Sequence, residues 1–248
     1  MSYTVTNIIK TIIVYLLCAA MMLFSHIRAE RMAAESAQAK ALFIDQMLET
    51  ALELAQENDF RRAHYKEDLG VCKNFADTLF KSFSAQYRMR EYPDTRLIIP
   101  VNNPPEDCAP HQYGVEWRDV RASGGNPFTV VGAFRYNDGL SQEENREAAR
   151  AMLSEARRGD FLQMAGNYGG GTGPHTLVFT ADYDPDSETL RWTDSNRTGR
   201  FIRGERWGYV EYDEAFTIDW TIGAICLPQY GATLYRLRDD LVYIGDKR

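Results

Sequence analysis

Gly70-Val71-Cys72-Lys73-Asn74-Phe75-Ala76-Asp77-Thr78-Leu79-Phe80 reads as a helix that opens on a cysteine. Phe75, Leu79 and Phe83 recur at helical spacing, with Ala76 and Phe80 beside them, so one face is apolar. Gly70 permits a tight turn into that helix. A cysteine in a first helical turn lies among unpaired backbone N–H groups at the positive end of the helix dipole, which favours the thiolate. A nucleophile needs that setting. A buried structural cysteine is the other reading of the same residues.

Downstream, the chain supplies a base and an orienting group. His175 follows the glycine-rich run from Gly166 to Pro174 and begins an alternating segment, Thr176-Leu177-Val178-Phe179, which predicts a strand. The run precedes a strand and lacks a Lys-Ser/Thr pair, so it reads as a mobile loop or cleft rim rather than a phosphate cradle. Trp192-Thr193-Asp194-Ser195-Asn196 ends the following strand, one hairpin on. Neighbouring antiparallel strands place facing Cβ atoms about 5 Å apart. An Asp194 carboxylate there would bind one ring nitrogen of His175 and leave the other for Cys72. Asn196, two residues on and on the same strand face, is the substitute orienter. The alternative is that Asp194, Ser195 and Asn196 cap a turn.

The surrounding order is helices first and strands later. Ala33 to Glu57 predicts one or two amphipathic helices, through Leu42, Met47, Leu48, Leu52 and Leu54. A polar connection, 58–70, carries His64 and Tyr65. The Cys72 helix is expected to reach about Tyr87, and prolines break the stretch from Arg90 to Pro110. Tyr113–Val120 and Phe128–Tyr136 predict strands, and Ser141-Gln142-Glu143-Glu144 is a capping box that opens a helix to about Arg157. Strands are then expected at 160–164, 175–183, 189–193, 208–212, 215–220, 224–227, 232–237 and 241–244. This is the α+β pattern, with N-terminal helices packed on a mainly antiparallel sheet.

The 248 residues carry a net charge of −7, which argues against nucleic acid as a partner. Residues 1–29 are set apart as a signal peptide or membrane anchor. Lys10 precedes an apolar run from Thr11 to Phe24, shorter than the roughly 20 residues of a membrane span. Ile8 and Ile9 would lengthen it, so membrane attachment through residues 8–24 stands beside cleavage after Ala29. Either way the chain is expected to be exported, periplasmic or secreted. In an oxidising compartment Cys108 and Cys226 are candidates for a disulfide, leaving Cys72 as the odd, reactive thiol. No Cys-x-x-Cys or His-x-x-x-His spacing occurs, so neither a metal nor a cofactor is expected.

The order and setting of these residues resemble the papain-like cysteine peptidases and amidases of the NlpC and CHAP type. Arg157-Arg158-Gly159-Asp160-Phe161-Leu162 matches the Gly-Asp pair that introduces a strand there, and Pro174-His175-Thr176-Leu177-Val178 matches the histidine strand. The resemblance implies Cys72 as nucleophile, His175 as general base and Asp194 as orienter. It implies a thiol hydrolase of amide bonds, with peptidoglycan peptides as substrate. The Cys72 N–H would support the oxyanion, with Tyr65 or His64 as a second group. It also implies that residues 30–62 form an N-terminal helical segment and 63–248 the hydrolase domain, with an insertion at about 92–137. Gly70-Val71-Cys72, with Trp192 and Asp194, is similar as well to the transglutaminase-like core, which implies acyl transfer or proteolysis. A non-enzymatic envelope scaffold with a degenerate site is the third reading.

Overall fold

The computed structural model describes residues 3–57, 72–97, 126–168, 171–202 and 205–245. Helices and antiparallel strands combine in an α+β protein.

Helix α1 (Tyr3–Glu57) runs unbroken for 55 residues, in a stretch that contains neither Gly nor Pro. The apolar run and the amphipathic segment, expected to divide at residue 29, are one helix. Its two halves have different surroundings. Ala39, Phe43, Met47 and Ala51, spaced one turn apart, are buried in the domain. The large apolar side chains from Ile12 to Phe24 are 50–75% exposed. This half is long and apolar enough to cross a membrane.

Helix α2 (Cys72–Ser84) buries Phe75, Ala76, Leu79 and Phe80, the predicted face. It stops short of Tyr87 because Tyr87–Met89 (β1) pairs with Leu241–Tyr243 (β8) in a small sheet. The main sheet has six strands: β2 (Phe128–Arg135), β3 (Phe161–Tyr168), β4 (Gly171–Phe179), β5 (Thr189–Ile202), β6 (Glu205–Thr217) and β7 (Gly231–Leu237). Their order is β2-β7-β3-β4-β5-β6 and every adjacent pair is antiparallel. Within the stretch expected to be an insertion, 92–137, β2 forms an edge strand of the main sheet. The predicted strand at 113–120 lies outside the described residues. The glycine-rich run is corrected. Its residues extend the β3–β4 ladder through Gly166 opposite Gly173 to Tyr168 opposite Gly171, because ladder pairing uses backbone groups alone.

Helix α3 (Gln142–Leu153) opens on the anticipated capping box, with Ser141 accepting from the Glu144 N–H and Glu144 reaching back to the Ser141 backbone. Residues 218–225, expected as parts of two strands, form helix α4 (Ile218–Ile225). Thr217 caps it by accepting from the Trp220 N–H. Ile218, Thr221, Ile222 and Ile225 bury one face at helical spacing, which overrides their β-branched preference.

Each face of the sheet carries its own core. On one side α1 and α2 bring Phe43, Met47, Leu79 and Phe80 against Phe161, Val178 and Tyr235. On the other, α3 and α4 bring Leu153, Ile222 and Ile225 against Leu162, Leu177, Phe179 and Trp192. The alternation of Phe161 with Leu162 and of Val178 with Phe179 between the two cores follows the period of two of a strand. Just before β3, Gly159 adopts a φ of 85° with the Ile44 side chain of α1 against it. Asp160 follows, buried, receiving the Arg157 N–H and both nitrogens of an Arg236 fork.

Candidate active site

Three elements converge at one end of the β4–β5 pair. The β4–β5 ladder comprises Val178 opposite Thr193 and Phe179 opposite Trp192. Beyond those rungs lie His175 on β4 and Asp194 on β5. The β5–β6 register shifts between Trp192 and Asp194, where Asp213 on β6 takes a φ of 60°. Arg191 holds that bulge with a two-nitrogen grip on the Asp213 carboxylate, and the Thr180 hydroxyl donates to the same group. The bulge lies next to the rung where β5 presents its carboxylate.

His175 Nε2 lies 2.8 Å from Asp194 Oδ2. Asp194 is fully buried and His175 nearly so, at 0% and 6% exposure. With Nε2 engaged, Nδ1 is the nitrogen left for Cys72, and the Cys72 and His175 side chains are hydrogen-bonded. Cys72 is the first residue of α2 and half-buried. The Thr176 backbone N–H donates to its sulfur. The sequence-predicted nucleophile, base and orienter are thus in one chain of contacts.

Burial opposes ionisation of Cys72. The His175 charge, the His175 hydrogen bond and the Thr176 N–H outweigh it, so the thiol titrates below its ordinary value. Burial likewise opposes protonation of His175, but the adjoining Cys72 and the bond to Asp194 push it up to about 10. Both shifts run toward the thiolate–imidazolium form of the pair. Tyr209, on β6, has its phenol raised by burial and by the nearby carboxylates Glu211 and Asp194.

Asn196 is on β5 opposite Tyr209, two residues beyond Asp194. His64, Tyr65 and Cys108 lie outside the described residues. Of the expected Cys108–Cys226 pair, only Cys226 lies among the described residues. Cys226 is a free thiol, buried at the C-terminal end of α4, with Gln142 Nε2 3.8 Å away. Burial raises its pKa, the opposite direction to Cys72. Among the described residues no three His, Cys, Asp or Glu side chains form a metal-binding group.

Two contributors were not anticipated. The Thr176 hydroxyl donates to Gln163 Oε1 across the β3–β4 pair at 2.7 Å, with both residues buried. That bond braces the residue whose N–H meets Cys72. Arg191 and Asp213 brace the strand that carries Asp194. The signal for the first was the pairing of a polar Gln163 and a polar Thr176 within otherwise apolar strands. The second depends on a bulge that no local pattern announces.

No family model, curated protein or solved structure matches this chain.

Proposed function

We propose that the protein is a thiol hydrolase of amide bonds, with a papain-like site of the NlpC and CHAP type. The observation that carries this is His175 bonded on one side to a buried Asp194 and on the other to a helix-opening cysteine. The Cys72 thiolate attacks the amide carbonyl carbon, forming the carbon–sulfur bond, and the tetrahedral oxyanion is met by the Cys72 N–H. The His175 imidazolium gives its proton to the departing amine as the carbon–nitrogen bond breaks, leaving a thioester. His175, now neutral, takes a proton from water as it attacks the thioester, releasing the carboxylic acid and restoring the ion pair. Asp194 keeps Nε2 protonated and the ring aimed at the sulfur. By resemblance, the substrate is a peptidoglycan peptide met on the outer side of a membrane.

The test compares wild type with Cys72→Ala on isolated peptidoglycan fragments and with a thiol-directed electrophile. Both hydrolysis and labelling should vanish in the variant, with the far-ultraviolet circular dichroism unchanged. Hydrolysis that survives in Cys72→Ala would overturn the proposal. Ligation of an added primary amine by wild type would turn it toward transglutaminase-like acyl transfer.

A further inference from the structure

We propose that α1 is a retained membrane anchor whose uninterrupted stem holds the domain at a fixed height above the bilayer. The lipid-facing part is the run between Lys10 and Arg28. Its large apolar side chains are exposed all round the helix, whereas an amphipathic surface helix would hide one face and wet the other. At 1.5 Å per residue, Thr11 to Ile27 spans about 25 Å, within reach of a hydrocarbon core of roughly 30 Å once its ends are anchored. Lys10 closes one end. His26, Arg28, Glu30 and Arg31 close the other, with His26–Glu30 and Arg31–Glu35 pairs along the helix surface.

The join between anchor and domain separates this from a removable leader. A leader ends at small residues. Here Ile27 occupies the third position before the candidate cleavage point, and the helix passes through Ala29 without a break. The domain grips the same helix soon afterwards. Arg90 donates to the Met32 carbonyl and to Ser36 Oγ, each at 3.1 Å, and pairs with Glu35 at 3.6 Å. Lys40 reaches Asp239 at 2.7 Å. From Ile27 to Met32 the helix climbs only about 8 Å. No Gly or Pro intervenes to act as a joint. The domain therefore rides close to the headgroups on a stiff post. Resting on the hydrolase reading, the amides it reaches are those displayed at the bilayer surface, within roughly 40 Å, the diameter of a domain of this size.

Cys18 sits midway along the run and supplies the probe. The full chain carrying Cys72→Ala, which makes the result independent of catalysis, is expressed with and without Ala34→Cys. Open membrane fragments are treated with a membrane-impermeant maleimide, before and after detergent, and each cysteine is read by peptide mass spectrometry. Cys18 should be present in the mature chain and become labelled only after detergent, while Ala34→Cys labels at once. A fluorophore on Ala34→Cys should be quenched severalfold by a headgroup-attached quencher, and a Gly-Ser insertion after Arg28 should relieve that quenching. A mature chain lacking residues 1–29, or Cys18 labelled without detergent, would overturn the anchor. Quenching unaffected by the insertion would overturn the fixed height. Neither result bears on Cys72 chemistry, whose failure is seen in the hydrolysis assay alone.

Discussion

A single imidazole determines the charge state of the site, because both its nitrogens are committed. His175→Ala should lower hydrolysis roughly 10²- to 10⁴-fold, the usual contribution of a positioned acid–base group. It should also move the alkylation midpoint of Cys72 to higher pH, read from iodoacetamide rates across pH 5 to 10. The linked effect on folding has a definite sign. A histidine raised from 6.5 to about 10 stabilises the fold in full below its unfolded value, and that contribution is lost as pH rises through the folded one. Urea midpoints of wild type minus His175→Ala, taken across that window, should therefore converge as the medium becomes alkaline. Thr176→Val separates bracing from catalysis. It deprives the buried Gln163 oxygen of its donor and should cost about 1–3 kcal/mol of stability, yet the Thr176 N–H remains. Thr176→Val should thus melt earlier while its Cys72 alkylation profile moves little. Cys72, His175 and Asp194 were legible from residue type and order. Thr176 was not, because what it gives the sulfur is a backbone N–H that every residue but proline possesses.

At the scale of elements, local chemistry announced the starts and tertiary packing decided the rest. Ser141 and Glu144 could be read as a cap because the box is complete within four residues. Ser141→Ala should cost about 1 kcal/mol, measured as a shift in the denaturation midpoint. Helix α4 was hidden by its composition, since Ile218, Thr221, Ile222 and Ile225 suit a strand equally well and only burial on one face selects the helix. The Gly159-Asp160 step was legible as a lead into a strand but not as a contact with α1. A Cβ on Gly159 would meet three Ile44 side-chain carbons at 2.6–2.9 Å, at a φ that L side chains avoid. Gly159→Ala should lose about 2 kcal/mol or more from strain and overpacking together. Trimming Ile44 to Ala in the same chain should recover only the overpacking part, a split visible in a double-mutant cycle.

Over the whole molecule, α1 is both the outlying part and a wall of the core. Composition showed an apolar run and an amphipathic stripe; the lack of Gly and Pro between them permits one axis, but the change from an all-round apolar to an amphipathic pattern reads as a division. Removing residues 1–28 should leave the thermal midpoint within a few degrees of wild type, since residues 10–28 are all exposed. Phe43→Ala, by contrast, empties a fully buried site edged against Tyr87 and should cost about 3–5 kcal/mol. The α+β class was legible because it needs only element types in order. The sheet order, with β7 inserted between β2 and β3, was not, because it depends on which edges meet after the chain has doubled back.

The two cores on opposite faces of the sheet have a consequence for how the protein can fail. Cys72 belongs to the layer of α1 and α2, whereas His175 and Asp194 belong to strands clamped from both sides. The acidity of the thiol therefore exists only while that one layer is seated. Sulfur reactivity is a gauge of half the molecule: under mild denaturant it should fade before the tryptophan stacked in the opposite core registers any change. The protein would fall chemically silent while most of its sheet still stands.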